Sequence, residues 1–201
     1  MEKTYTQYST VPYFYLGVEF YLLGRIAFHK QLITSSAVLF HHAIERLLLA
    51  ALVNGKTKKY LKQRYKDHKL DRYWKDFKSN MNFPEKHELD DVIKRLNNAV
   101  DLRFVSLETN SIVFMPSRES VSKMSSYESG GKKEKYGYVI VLEDVDLFFN
   151  KMVDFLKINS LLVHQLMATS DRMDDYLKDN NHIVFDPKRT VPSQIKIFRE
   201  S

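Results

Sequence analysis

From Val11 to Phe28 the chain is apolar and aromatic, interrupted only by Gly17, Glu19, Gly24 and Arg25. Thr10 followed by Pro12 puts a proline in a first helical turn, where its missing N–H costs nothing. The spacing predicts a helix to about His29, with Leu16, Phe20, Leu23 and Ala27 along one face. A break near Leu32-Ile33-Thr34 precedes a second helix, capped by Ser35 or Ser36 and running to Val53. Asn54-Gly55 is its stop signal. Val38, Leu39, Phe40, Ala43, Ile44, Leu47, Leu48, Ala51 and Leu52 make this helix apolar nearly all round, so it is expected at the centre of the fold.

The third helix is expected over Lys69 to Phe77, capped by Asp67, with Leu70, Tyr73, Trp74 and Phe77 inward. A fourth, from about Glu85 to Phe104, carries the stripe Leu89, Val92, Ile93, Leu96, Ala99 and Val100. Residues 106–137 then hold eight serines, Gly130-Gly131 and Lys132-Lys133-Glu134-Lys135, a composition that predicts a mobile insert. Its β-like flanks, Ile112 to Met115 and Tyr138 to Val141, predict a hairpin-like pair of short strands. A long fifth helix spans Asp144 to Met167, keyed by Val145, Phe148, Phe149, Met152, Leu156 and Val163. Ser170-Asp171 opens a short helix to Lys178, and Ile183-Val184-Phe185 suits an edge strand or an extended arm. The pattern is that of one all-α domain of about five helices, with a small β-like insert between the fourth and fifth and an extension over 168–201.

Length agrees with a single domain: 201 residues bury enough surface to need no disulfide or structural metal. At 44% apolar and 28% charged residues the chain is not broadly disordered. The absence of cysteine excludes thiolate metal sites, iron–sulfur clusters and cysteine nucleophiles, and fits a reducing, cytoplasmic setting. Glu19 and Arg25 argue against a membrane span at 11–28, the run Leu47 to Val53 is too short for one, and no secretory signal is expected at the start. No membrane partner is expected.

Charge is distributed unevenly. Residues 56–78 alone carry +7 of a total of +6, the rest being slightly acidic. In this segment Lys58, Lys59, Lys62, Arg64, Lys66, His68, Lys69 and Arg72 are candidate phosphate contacts. Tyr60 and Tyr65 are candidate stacking platforms for unpaired bases, each worth about 1–3 kcal/mol. An RNA or another polyanion, or an acidic protein, is the partner this charge suits.

Other clusters are less productive. His41 and His42 are adjacent on a helix and point about 100° apart, so they are not expected to chelate. The pair suits a helix seam or a dimer face. Asp90-Asp91 and Asp174-Asp175 read as solvated faces, and Gly130-Gly131 lacks the context of a phosphate loop. No metal and no cofactor are expected.

Phe40-His41-His42-Ala43-Ile44-Glu45-Arg46-Leu47-Leu48-Leu49-Ala50, then Asp67-His68-Lys69-Leu70, Ala99-Val100-Asp101-Leu102-Arg103-Phe104 and Glu143-Asp144-Val145-Asp146 follow one another in an order that resembles the HEPN superfamily over about residues 11–167. The resemblance implies an up-and-down helical bundle that often dimerises, association with RNA or nucleotides, and toxin–antitoxin or defence settings. Many members are metal-independent ribonucleases that use an Arg and a following His with four to six residues between them. No arginine here has that spacing: Arg25/His29 and Arg64/His68 each have three residues between, and no His follows Arg103 before His164. A non-catalytic, RNA-binding member is therefore expected, with no catalytic residue assigned. The alternative enzyme is a ribonuclease using Arg64 and His68 across a homodimer. On a helix these lie at i and i+4, with Asp67 capping the helix that begins beside His68. A third reading is an interaction module for an acidic partner, with the serine-rich insert ordering on binding.

Overall fold

The computed structural model describes residues 10–53, 56, 58–81, 83, 89–99, 112–115, 117–120 and 138–156. Those residues are mainly helical. In chain order they form α1 (Thr10–His29), α2 (Ile33–Leu52), α3 (Lys58–Arg64), α4 (Leu70–Asn80), α5 (Asp90–Ala99), β1 (Ile112–Met115), β2 (Tyr138–Val141) and α6 (Leu142–Phe155).

Helices α1 and α2 pack along their length in opposite directions. Gly24, near the turn, lies against the Phe40 ring, and Gly17, further from it, lies against Leu47. These glycines let the two backbones approach, so the buried face of α1 is Phe14, Gly17, Val18, Tyr21, Leu22, Gly24, Arg25 and Ala27. Of the expected stripe Ala27 is buried and Phe20 half-buried, but Leu16 and Leu23 are corrected to the surface, 41% and 42% exposed. The turn itself is closed by two reversed bonds, Leu32 N–H to Ala27 O at 2.8 Å and Gln31 N–H to Phe28 O at 2.9 Å, with Gln31 at φ 59°. That is a Schellman closure, usually made by glycine. It leads straight into α2 at Ile33 with no side-chain cap. The expected serine cap is therefore absent, and Ser36 Oγ instead donates to Gly24 O at 2.9 Å.

Helix α2 is central, as its composition predicts. Phe40, Ala43, Ile44, Leu47 and Leu48 are all essentially solvent-free. By length and composition α2 could cross a membrane, but most of it is buried inside the protein. Leu70, Tyr73, Trp74 and Phe77 of α4 face inward as expected. Trp74, Phe77, Phe83 and Phe155 form an aromatic cluster with ring centroids 5.2–6.4 Å apart. Helix α4 has no side-chain cap, and Asp67 pairs with Arg72 at 2.8 Å rather than capping. Asp90 is not simply solvated: it accepts from the Trp74 indole and, at 2.7 Å, from Lys78.

Strands β1 and β2 form where the pattern placed them, but they pair in parallel, with Ile112 opposite Tyr138 and Met115 opposite Val141. This corrects the hairpin expectation. A parallel pair needs a crossover of about a dozen residues or more, and the chain between Met115 and Tyr138 is long enough. Strand β2 runs directly into α6. The expected helical segments beyond Leu156, the arm near 183–185 and most of the serine-rich insert lie outside the described residues.

One buried polar clip joins α1 to α6. Arg25 pairs with Asp146, and the Tyr21 hydroxyl donates to the other Asp146 oxygen at 2.6 Å. The Tyr21 ring stacks on Phe149 at 3.8 Å. Burial first, and then the Asp146 carboxylate, pushes the Tyr21 phenol well above its ordinary range, so it remains a donor.

Candidate functional site

The basic segment folds as α3, a tight turn and α4. Seven residues are too few for a stable isolated helix, so α3 depends on what it buries. Leu61 and Tyr65 supply that anchor. The Tyr65 ring stacks on Tyr73 at 4.1 Å and 10°, and its hydroxyl donates to Asp76 at 2.9 Å. Arg64 grips the same carboxylate with two bonds, at 2.8 and 2.5 Å. The Arg64 and Tyr65 donors hold the Asp76 carboxyl below its usual value against the opposing effect of burial. Arg72 donates to Arg64 O at 3.0 Å and pairs with Asp67. The chain then turns at His68, which has φ 54°.

These contacts sort the candidate residues. Arg64 and Arg72 are half-exposed struts already paired to carboxylates, and Tyr65 is buried, stacked on Tyr73 rather than offered at the surface as a platform. Lys59, Lys62, Lys66 and Lys69 are exposed, and no carboxylate among the described residues pairs with them. Tyr60 is 43% exposed, with the Lys56 ammonium 5.3 Å from its ring centroid. The Lys58 side chain lies outside the described residues. Arg64 and His68 do not share one helix face, because α3 ends at Arg64 and the backbone reverses at His68. Each is engaged by a different carboxylate.

The carboxylate that engages His68 is Glu45 of α2. His68 Nδ1 lies 3.0 Å from Glu45 Oε1, and the Tyr73 hydroxyl donates to the same oxygen at 3.1 Å. Arg46 approaches Oε1 at 3.9 Å, and His42 Nδ1 lies 3.6 Å from Oε2. Burial alone would raise the Glu45 carboxyl. The His42 and His68 imidazoles and the Arg46 charge outweigh it and bring the group down to about 2. Glu45 is thus an anion 1% exposed to solvent, with His68 and Tyr73 on Oε1 and His42 beyond hydrogen-bond distance of Oε2.

Glu45 also lines a cavity of about 300 Å³, at the small end of ligand pockets. Tyr65, Tyr73 and Leu61 give it apolar and aromatic wall, and the charges of Arg46, Lys62 and Lys66 outnumber that of Glu45 in its polar lining, which His68 completes. Sequence reasoning found the lysines and His68. It set Glu45 aside as completing no zinc motif and read Tyr73 only as core, because their meeting with His68 joins α2 to the turn and α4. The positions that carry the HEPN likeness fall in α2, at the turn into α4 and at the start of α6, while 100–104 lie outside the described residues. Comparison with family models, curated proteins and solved structures gives no match for this chain.

Proposed function

We propose that this chain is an HEPN-like helical bundle that binds RNA or another polyanion through the face built from α3 and the turn after it. The observation that supports this reading is the set Lys59, Lys62, Lys66 and Lys69, four exposed cations within eleven residues that no described carboxylate neutralises. Lys62 and Lys66 also border the cavity, where aromatic wall and cationic lining suit a phosphate with an attached planar group. Binding is favoured over cleavage because Arg64, the arginine of the alternative catalytic pair, is held by Asp76.

The test is fluorescence anisotropy with a labelled single-stranded RNA over a series of salt concentrations. Log affinity should fall linearly with log salt, with a slope near −0.7 for each phosphate neutralised. Charge reversal of Lys62 and Lys66 together should weaken binding and flatten the slope, whereas Lys94→Glu on α5 should change neither. Binding that ignores salt, or no binding at low salt, overturns the proposal.

A further inference from the structure

The geometry points to a site for one first-row divalent cation, of the Zn²⁺ or Co²⁺ type, at His41, His42 and Glu45. The three lie at i, i+1 and i+4 on α2, a spacing that the splay of adjacent helical residues argues against. In the folded protein their ligand atoms nonetheless come within 4.8 Å of one another. Two ligands of one tetrahedral zinc ion lie about 3.4 Å apart. The 3.6 Å between His42 Nδ1 and Glu45 Oε2 is already close to that.

The second observation is how Glu45 is held. His68 and Tyr73 both engage Oε1, which fixes the orientation of the carboxylate. Oε2 is buried and has no hydrogen-bond partner among the described residues. Buried carboxylate oxygens normally have one. A cation on Oε2 would satisfy it, with His68 and Tyr73 as the outer residues that orient the ligand. Arg46, the nearest permanent positive charge, approaches Oε1, the other oxygen. Two imidazoles and one carboxylate suit zinc and its neighbours rather than calcium or magnesium, which prefer all-oxygen shells. Three protein ligands leave at least one position for water or a ligand oxygen.

The experiment uses the full chain without an affinity tag, stripped of metal, in equilibrium dialysis against Zn²⁺ and in visible absorption with Co²⁺. Expected are one Zn²⁺ per chain and the intense ligand-field bands of a low-coordinate Co²⁺ site. A rise in Tm on adding Zn²⁺ should accompany them. His42→Ala carries the test, because His42 is a quarter exposed and its loss spares the core. It should abolish the bands and the Tm rise while circular dichroism stays native. His68→Ala should keep the stoichiometry and weaken affinity by about 10–100-fold, and His29→Ala should change nothing. The site is overturned if His42→Ala keeps the stoichiometry and the bands, or if no saturable binding occurs. It stands apart from the RNA reading, since the salt series and the metal titration fail separately.

Discussion

Arg25 of α1 and Asp146 of α6 form an ion pair that solvent does not reach, with side chains 1% and 0% exposed. Removing one partner strands a buried charge. Arg25→Ala is expected to cost about 3–5 kcal/mol, whereas Arg25→Met with Asp146→Leu and Tyr21→Phe, which leaves no polar atom of the clip unpaired, should recover most of it. Urea unfolding of the parent and these two variants checks this. An Arg25→Ala protein as stable as the parent would mean that the clip does not hold α1 to α6.

Gly24 is the tighter of the two glycine contacts between α1 and α2. A Cβ there would sit 2.7 Å from the Phe40 ring. Gly24→Ala should destabilise by about 1–3 kcal/mol through overpacking. Phe40→Leu in the same chain should offset part of that loss, a coupling that a double-mutant cycle in urea measures.

Gln31 occupies the left-handed position of the Schellman closure at φ 59°. A residue with a Cβ is strained there and glycine is not. Gln31→Gly should stabilise by about 1 kcal/mol, against the destabilisation that glycine causes elsewhere in helices. A fall in the urea midpoint would refute it.

Asp76 gives the fold an acid limb. Its folded value is depressed below that of the unfolded chain. The stability it contributes is therefore complete above the ordinary carboxylate value, near 4, and is lost as pH falls through the lower folded value. Asp76→Asn should lower stability at neutral pH and make the acid end of the stability profile shallower. A profile parallel to that of the parent would show that Arg64 and Tyr65 gain nothing from this charge.

Much of the helical layout is legible in the sequence. Helix α2 announces itself by being apolar all round and by its Asn-Gly stop, and α4 by the spacing of Leu70, Tyr73, Trp74 and Phe77. The inner face of α1 is not, because Gly17 and Gly24 create the contact and hydropathy gives glycine no weight; Leu16 and Leu23 therefore pull the expected face around the helix. Helix α3 is too short and too charged to show a period, and only Leu61 and Tyr65 anchor it. Glu45 is hidden for another reason. Its hydrogen-bond partners His68 and Tyr73 are 23 and 28 residues away, so its neighbours His42 and Arg46 show only part of its surroundings. Strand positions follow from β-branched runs, but their direction depends on the crossover, which composition does not encode.

The two arginine struts, Arg64 on Asp76 and Arg72 on Asp67 and the Arg64 carbonyl, bear on how quickly the proposed binding at the lysine face would occur. Folding has already immobilised its backbone, so a partner arriving there need not wait for a loop to order. Association should then be limited by diffusion and charge steering, and differences between ligands should appear in how long they stay.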